Sequence, residues 1–114
     1  MKIFFYPVFL LCVLGCAAPI KDGIYKDYYE NGNLKSVRSY DNGALNGIAR
    51  EYYDVGTLQH AINYKNDQID GLYNTYYPTG ALWIQETYDH GVLVGRKEYD
   101  EEGKVIQEEG YSKE

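Results

Sequence analysis

A 24-residue repeat is the feature of this sequence that most constrains its fold. Glycines recur at that spacing, a tyrosine pair follows each of the first three, and a second glycine comes after each pair. The residues that carry the pattern are Gly23, Gly47, Gly71 and Gly95; Tyr28-Tyr29, Tyr52-Tyr53 and Tyr76-Tyr77; and Gly32, Gly56 and Gly80. Such self-similarity is typical of repeat arrays, in which each unit buries its apolar side chains only against its neighbours.

Each repeat unit has the pattern of a β-hairpin. Two short runs flank a glycine turn, and Asn31-Gly32 is a strong signal for such a turn. A second turn, Asp41-Asn42-Gly43 in the first unit, connects one hairpin to the next. Fourteen tyrosines and twelve glycines against three prolines also favour strands and turns over helices. The sequence therefore predicts an all-β fold, an antiparallel meander of about eight strands in four hairpin repeats, forming one extended and twisted sheet.

The buried face of this sheet is predicted from side-chain parity. Successive side chains on a strand point to opposite faces, so residues an even number apart share a face. Leu34 and Tyr40 are an even number apart, which predicts that they lie together on the buried face. The same holds for Leu58 with Tyr64 and for Leu82 with Tyr88.

The candidate binding surface consists of aromatic residues on the other face. The two tyrosines of each pair are adjacent, so one of two ladders is predicted to face solvent. Trp83 directly follows Leu82 and replaces Lys35 and Gln59 at its repeat position, so alternation predicts that it lies opposite the Leu and Tyr face, at least half exposed. The candidate surface is Trp83 with Tyr28, Tyr52 and Tyr76 or with Tyr29, Tyr53 and Tyr77.

The first residues have the pattern of an export signal. Lys2 precedes an apolar run from Ile3 to Leu14, which is shorter than the roughly 20 residues that a membrane-spanning helix needs. Val13-Leu14-Gly15-Cys16 resembles the lipobox of bacterial lipoproteins. This resemblance implies a signal peptide at 1–15, a lipid on Cys16 that anchors the protein to a membrane, and a tether over 16–22. The alternative is an ordinary secretory peptide cut after Ala18.

The repeat resembles the variant MORN repeat of bacterial proteins, with units at 23–46, 47–70, 71–94 and 95–114. This resemblance implies an array of antiparallel hairpins over the domain 23–114. Similar proteins often carry lipoprotein signals, and some are labelled as antitoxin components. In Gram-negative lipoproteins, a residue such as Ala17 after the cysteine implies sorting to the outer membrane. The location expected from these resemblances is the cell envelope.

Charge and motif content exclude several functions. A net charge of -6 offers no electrostatic footprint for a nucleic acid. No metalloprotease, P-loop or serine-hydrolase motif is present, so no catalytic residue, cofactor or metal is expected. His60 and His90 are interpreted as a variable strand residue and a turn residue. Acidic residues in the last unit match no calcium-binding pattern and are interpreted as protection of the open sheet edge.

Two classes of function remain after these exclusions. The first is a non-catalytic envelope lipoprotein that binds or scaffolds a protein partner through its sheet face. The alternative is a lipoprotein that binds glycan or peptidoglycan by stacking sugar rings on the tyrosine ladder and Trp83. A further alternative, which the resemblance implies, is an antitoxin-like component that neutralises a protein toxin.

Overall fold

A computed structural model describes residues 21–112, and every regular element in this range is a β-strand. Cys16 and the predicted signal peptide lie outside the described residues. None of the described residues belongs to a helix long and apolar enough to cross a membrane. The strands are β1 (Gly23–Tyr28), β2 (Leu34–Asp41), β3 (Ala44–Leu45), β4 (Gly47–Tyr52), β5 (Leu58–Lys65), β6 (Gln68–Tyr76), β7 (Leu82–Asp89), β8 (Val92–Tyr99) and β9 (Val105–Gly110).

All these strands form one antiparallel sheet whose order follows the chain. The path runs β1-β2-β4-β5-β6-β7-β8-β9, and the two-residue β3 pairs with the end of β2. Asn46 alone separates β3 from β4, so these two strands continue one another along the chain. The predicted all-β meander of four hairpins in a single sheet is confirmed.

Two kinds of turn alternate along the meander. At the tip of the first hairpin, the Tyr29 N–H donates to the Asn33 carbonyl at 2.8 Å, and Gly32 adopts a positive φ of 92°. Between hairpins, two-residue turns have positive φ at both positions, which is the geometry that matches strand twist. These turns are Asn42-Gly43, Asn66-Asp67 and His90-Gly91.

Every hairpin contains a β-bulge just after its tip. In the first hairpin Asp27 pairs with Ser36, but the next residue, Tyr28, pairs with Leu34, so Lys35 is an extra residue on β2. The same register shift occurs in the second and third hairpins, where the extra residues are Gln59 and Trp83. A bulge of this kind leaves two residues of one strand opposite one residue of its partner.

The bulge places the leucine and tyrosine rows on opposite faces. Tyr40 pairs with Gly23 while Leu34 pairs with Tyr28. Gly23 and Tyr28 are an odd number of residues apart on a regularly paired strand, so their side chains point to opposite faces. The prediction that Leu34 and Tyr40 share a face is therefore wrong, because the extra residue shifts the alternation by one.

Burial is concentrated on the face that carries Tyr40, Tyr64 and Tyr88, which we call the tyrosine face. Ala49 and Ile62 are the buried apolar residues among those described, and Ser36 is buried beside them. Ala49 pairs with Ile62, and Ile62 stands two residues before Tyr64, so all of them lie beneath the tyrosines of this face. The core is a thin layer of small and aliphatic side chains that the tyrosine rings cover.

Candidate functional site

Trp83 lies on the side of the tyrosine face. Its ring stacks on Tyr77 with centroids 4.9 Å apart and planes 15° apart, and its Nε1 donates to Glu98 Oε1 at 3.4 Å. Glu98 pairs with Ile84, which stands four residues before Tyr88 and shares its face. Trp83 therefore lies opposite Leu82, as predicted, but on the same side as Tyr88, because the bulge separates the leucine and tyrosine rows. Trp83 is half-buried, less exposed than the sequence analysis predicted.

The bulge position presents a different side chain in each of the first three units. The Lys35 ammonium lies 5.6 Å from the centroid of the Tyr29 ring, which is the counterpart of the stack between Trp83 and Tyr77. Gln59 is the equivalent residue in the second unit. An ammonium, an amide and an indole therefore vary at one position along the same edge of the sheet.

The ladder of Tyr29, Tyr53 and Tyr77 is a structural clasp between units. Their hydroxyls donate to the backbone carbonyls of Tyr52 at 2.6 Å, Tyr76 at 2.7 Å and Tyr99 at 2.8 Å. Each of the first three hairpin tips is thereby bonded to the next unit. In the last unit Asp100 stands at the clasp position, and its Oδ1 accepts the N–H groups of Glu102 and Lys104 within its own turn.

The ladder of Tyr28, Tyr52 and Tyr76 lies on the opposite face. Tyr28 is 60% exposed, whereas Tyr52 and Tyr76 are half-buried. The structure therefore divides the candidate surface between the two sides of the sheet. Trp83 and the clasp ladder lie on one side, and the second ladder lies on the other.

The tyrosine face carries an aromatic row that the sequence analysis did not select as a site. Tyr25 meets Tyr40 edge-to-face with centroids 5.2 Å apart, and Tyr73 lies 5.5 Å from His60 and 6.3 Å from Tyr88. Tyr25 and Tyr73 each stand two residues after a repeat glycine. That spacing is a signal from which their place in the row could have been found, because those glycines pair with Tyr40 and Tyr88.

Three tyrosines of the tyrosine face hold their hydroxyl protons more firmly than free tyrosine. Burial raises the pKa of Tyr64, Tyr73 and Tyr88, and nearby carboxylates raise it further. The carboxylate of Glu51 acts on Tyr64 and Tyr73, and that of Glu86 acts on Tyr73 and Tyr88. The face therefore presents neutral phenols next to negative charge.

A shallow concavity of about 270 Å³ opens on the tyrosine face beside the clasp of Tyr29. Asp27, Arg38, Glu51 and His60 contribute to its lining. The Arg38 Nη2 lies 2.7 Å from Asp27 Oδ2, and the His60 Nδ1 lies 3.1 Å from the Thr75 hydroxyl oxygen. The hydroxyl of Ser36, which also lines the concavity, donates to Asp27 Oδ2 at 3.0 Å, so the lining is a set of polar groups that are bonded to one another.

Asp70, Asp89 and His90 form a further polar cluster at the turn between β7 and β8. Within residues 21–112 their ligand-type atoms lie within 4.8 Å of one another, an arrangement with donors that a divalent cation accepts. The His90 Nδ1 lies 2.6 Å from Asp89 Oδ1, and the His90 N–H donates to Asp70 Oδ1 at 3.2 Å. These contacts tie the turn to the preceding unit.

The fold and the spacing of its turns can be compared with known proteins. A family model described as MORN repeat variant matches residues 21–42, 45–66, 69–90 and 96–113. The chain belongs to this family. The four matched segments overlap the four units predicted from the sequence, and MORN repeat membership indicates a repeat-based binding module. Comparisons with curated proteins and with solved structures find no match in either set.

Proposed function

We propose that this MORN repeat protein is a non-catalytic lipoprotein of the cell envelope that docks a protein partner through the tyrosine face of its sheet. The observation that carries the proposal is the single-layered sheet. All strands belong to one sheet, and within residues 21–112 no second layer covers either face. Contiguous uncovered aromatic surface is typical of interaction sites, and aromatic residues dominate the binding energy of protein interfaces.

Repeat-to-repeat variation supports a specific partner. The scaffold positions recur in the units, whereas the bulge position changes from Lys35 to Gln59 to Trp83 on one edge of the tyrosine face. A constant scaffold with a variable row is how repeat proteins form extended binding surfaces. The anchoring lipid proposed on Cys16 would hold this surface at a membrane and leave both sheet faces free of that task.

The test is crosslinking of the lipidated protein in its native envelope, followed by capture and identification of the crosslinked species. The intact chain is compared with Trp83→Ala and with Gln59→Ala, which changes the equivalent position without removing an aromatic ring. We expect one protein to be captured by the intact chain and by Gln59→Ala, and lost with Trp83→Ala. Equal capture by all three, or no captured protein, would count against docking at this edge.

Glycan binding is the second candidate, and one observation favours it. The half-buried rings of Trp83 and Tyr77 are nearly parallel and stacked face to face, and sugar rings stack on aromatic faces in the same way. If the ligand is peptidoglycan, soluble muropeptides will quench the fluorescence of Trp83, the single tryptophan of the chain. Unchanged fluorescence at saturating muropeptide would eliminate this candidate.

A further inference from the structure

The tyrosine face carries an excess of negative charge. Its strand residues include five carboxylates and two guanidinium groups, with the ammonium of Lys35 at the bulge, whereas on the opposite face four cations balance four carboxylates. The tyrosine-face set is Asp27, Glu51, Glu86, Glu98 and Glu109 with Arg38 and Arg96; the opposite set is Lys26, Arg50, Lys65 and Lys97 with Asp41, Asp70, Asp89 and Glu108. Among the described strands, the excess of negative charge therefore lies on the tyrosine face.

Both arginines of the tyrosine face are already paired with carboxylates. Arg38 lies 2.7 Å from Asp27, and Arg96 lies 3.3 Å from Glu98. Among the described residues, Glu51 and Glu86 have no ion pair within 4.0 Å. These two carboxylates are the uncompensated negative charges at the middle of the face.

Glu51 and Glu86 flank the ring of Tyr73. Glu51 pairs across the sheet with His60, whose ring meets the Tyr73 ring edge-on at 5.5 Å. Glu86 pairs directly with Tyr73 on the other side. Both carboxylates raise the pKa of the Tyr73 hydroxyl, after burial, which is the larger cause. The tyrosine ring therefore lies between two negative charges on a surface that no described strand covers.

We propose that the tyrosine face between Glu51 and Glu86 binds a basic, extended segment of the partner protein. In this arrangement an arginine or lysine side chain of the segment lies over the Tyr73 ring. The inference rests on the proposed docking role. A cation over a tyrosine face is attracted by the ring quadrupole. A guanidinium flanked by two carboxylates also forms charge-assisted hydrogen bonds. An anionic or neutral segment would leave both carboxylates desolvated and unpaired, which is unfavourable.

The repeat spacing fits an extended segment rather than a single cation. Glu51 on β4 and Glu86 on β7 are three strands apart, and adjacent strands lie about 4.8 Å apart, so the two carboxylates are separated by roughly 14 Å across the sheet. An extended chain that crosses the strands places alternate side chains on one side at about 7 Å intervals. Several cations of one segment can therefore reach successive sites, from the pair Asp27 and Glu51 to the pair Glu86 and Glu98.

The test is calorimetric titration of the lipid-free full-length mature chain with a synthetic peptide of alternating arginine and threonine. A matched peptide carries citrulline, which keeps the shape of arginine without its charge. The protein variants are Glu51→Gln/Glu86→Gln and the control Glu101→Gln/Glu102→Gln, which makes the same change in net charge in the turn between β8 and β9. Tyr73→Leu removes the aromatic ring alone.

We expect the arginine peptide to bind the unaltered chain and the control alike, and the citrulline peptide not to bind. Glu51→Gln/Glu86→Gln should weaken binding about tenfold or more, and Tyr73→Leu about two- to fivefold. Equal weakening by the control variant, equal binding of both peptides, or no binding of the arginine peptide would overturn the proposal.

Two further measurements distinguish this proposal from self-association and from docking of a partner without a basic segment. Sedimentation of the chain with and without Glu51→Gln/Glu86→Gln detects self-association. Loss of a dimer in the variant would show that a second copy of the chain is the occupant, and would overturn the proposal. Capture from the envelope with the same variant separates it from the docking role. A partner still captured at full yield would leave docking in place and refute the basic segment.

Discussion

The hydroxyl of Tyr53 donates a hydrogen bond to the backbone carbonyl of Tyr76, 2.7 Å away and one repeat further along the chain. Tyr29 and Tyr77 make the same bond to the units that follow them. In a repeat array, stability depends on nearest-neighbour interfaces. The clasp is thus a side-chain hydrogen bond that recurs at the first three hairpin tips and couples adjacent units.

Removing the Tyr53 hydroxyl should weaken the array. Tyr53→Phe keeps the ring but deletes the bond to the Tyr76 carbonyl, and we expect the free energy of unfolding to fall by about 1 kcal/mol. Urea denaturation measures the change. Tyr28→Phe is the control, because that ring is 60% exposed and its hydroxyl forms no hydrogen bond among the described residues; an equal loss in both variants would refute the clasp.

The stack of Trp83 on Tyr77 should also stabilise the fold. Trp83→Ala removes an aromatic pair and half-buried apolar area, so we expect a loss of about 1–2 kcal/mol in the free energy of unfolding. Gln59→Ala, the equivalent change in the second unit, should cost less than about 0.5 kcal/mol. Thermal denaturation of the two variants gives the comparison, and similar losses would mean that the stack contributes little.

The turn at Asp67 predicts an order of stabilities. Asp67 has a φ of 69°, its carboxylate accepts the Leu45 N–H at 2.8 Å, and its own N–H donates to the Leu45 carbonyl at 3.0 Å. Asp67→Asn keeps an acceptor and tolerates this φ; Asp67→Gly keeps only the φ, and Asp67→Ala keeps neither. We expect the free energy of unfolding to fall by roughly 0, 1 and 2 kcal/mol in that order. An alanine variant more stable than the glycine variant would contradict this geometry.

Alkaline pH should destabilise the sheet. Burial, followed by nearby carboxylates, raises the pKa of Tyr64 and Tyr73 above the usual value of about 10. The folded state therefore keeps protons that the unfolded state has lost, so this contribution to stability is complete below about pH 10 and is lost as the pH rises through the folded pKa values. The midpoint of urea denaturation, measured at a series of pH values from below about 10 upward, follows this loss of stability.

The matched variant for this titration is Tyr64→Phe/Tyr73→Phe. It should reduce the fall in stability above about pH 10, because two of the hydroxyls with raised pKa are gone. A fall of the same size in the variant and in the unaltered chain would assign the effect to other groups.

The proposed lipid on Cys16 makes a prediction for the whole cell. Cys16→Ser should abolish labelling by a clickable palmitate analogue and release the protein from the membrane fraction. Cys12→Ser, which changes the other cysteine, should leave both unchanged. A mature N-terminus after Ala18, found by mass spectrometry, would refute the lipid anchor.

The sequence predicts the architecture well because its information is periodic. Four copies of one pattern determine hairpins, turns and chain order, and Asn42-Gly43 and Asn66-Asp67 form the connecting turns that this pattern indicates. The bulge was missed because parity reasoning assumes that every residue has a partner. Lys35 has none of its own, since closure of the tip by Tyr29 and Asn33 leaves one more residue on β2 than on β1.

The negative excess of the tyrosine face could have been read from the sequence, whereas the side-chain contacts could not. Arg38 and Glu86 each stand two residues before a tyrosine of the tyrosine face, so parity alone places them there. Which carboxylates remain unpaired depends on side-chain geometry, such as the 2.7 Å pair of Arg38 with Asp27. The stack of Trp83 on Tyr77 likewise depends on the bulge.

The central claim is that the tyrosine face is the docking surface, and site-specific photo-crosslinking in the native envelope tests it most directly. A photoreactive phenylalanine analogue is placed either at Tyr73 on the tyrosine face or at Ile48, which is 41% exposed on the opposite face. The account predicts a defined protein adduct from position 73 and none from position 48. An adduct from position 48 alone, or from neither position, would contradict it.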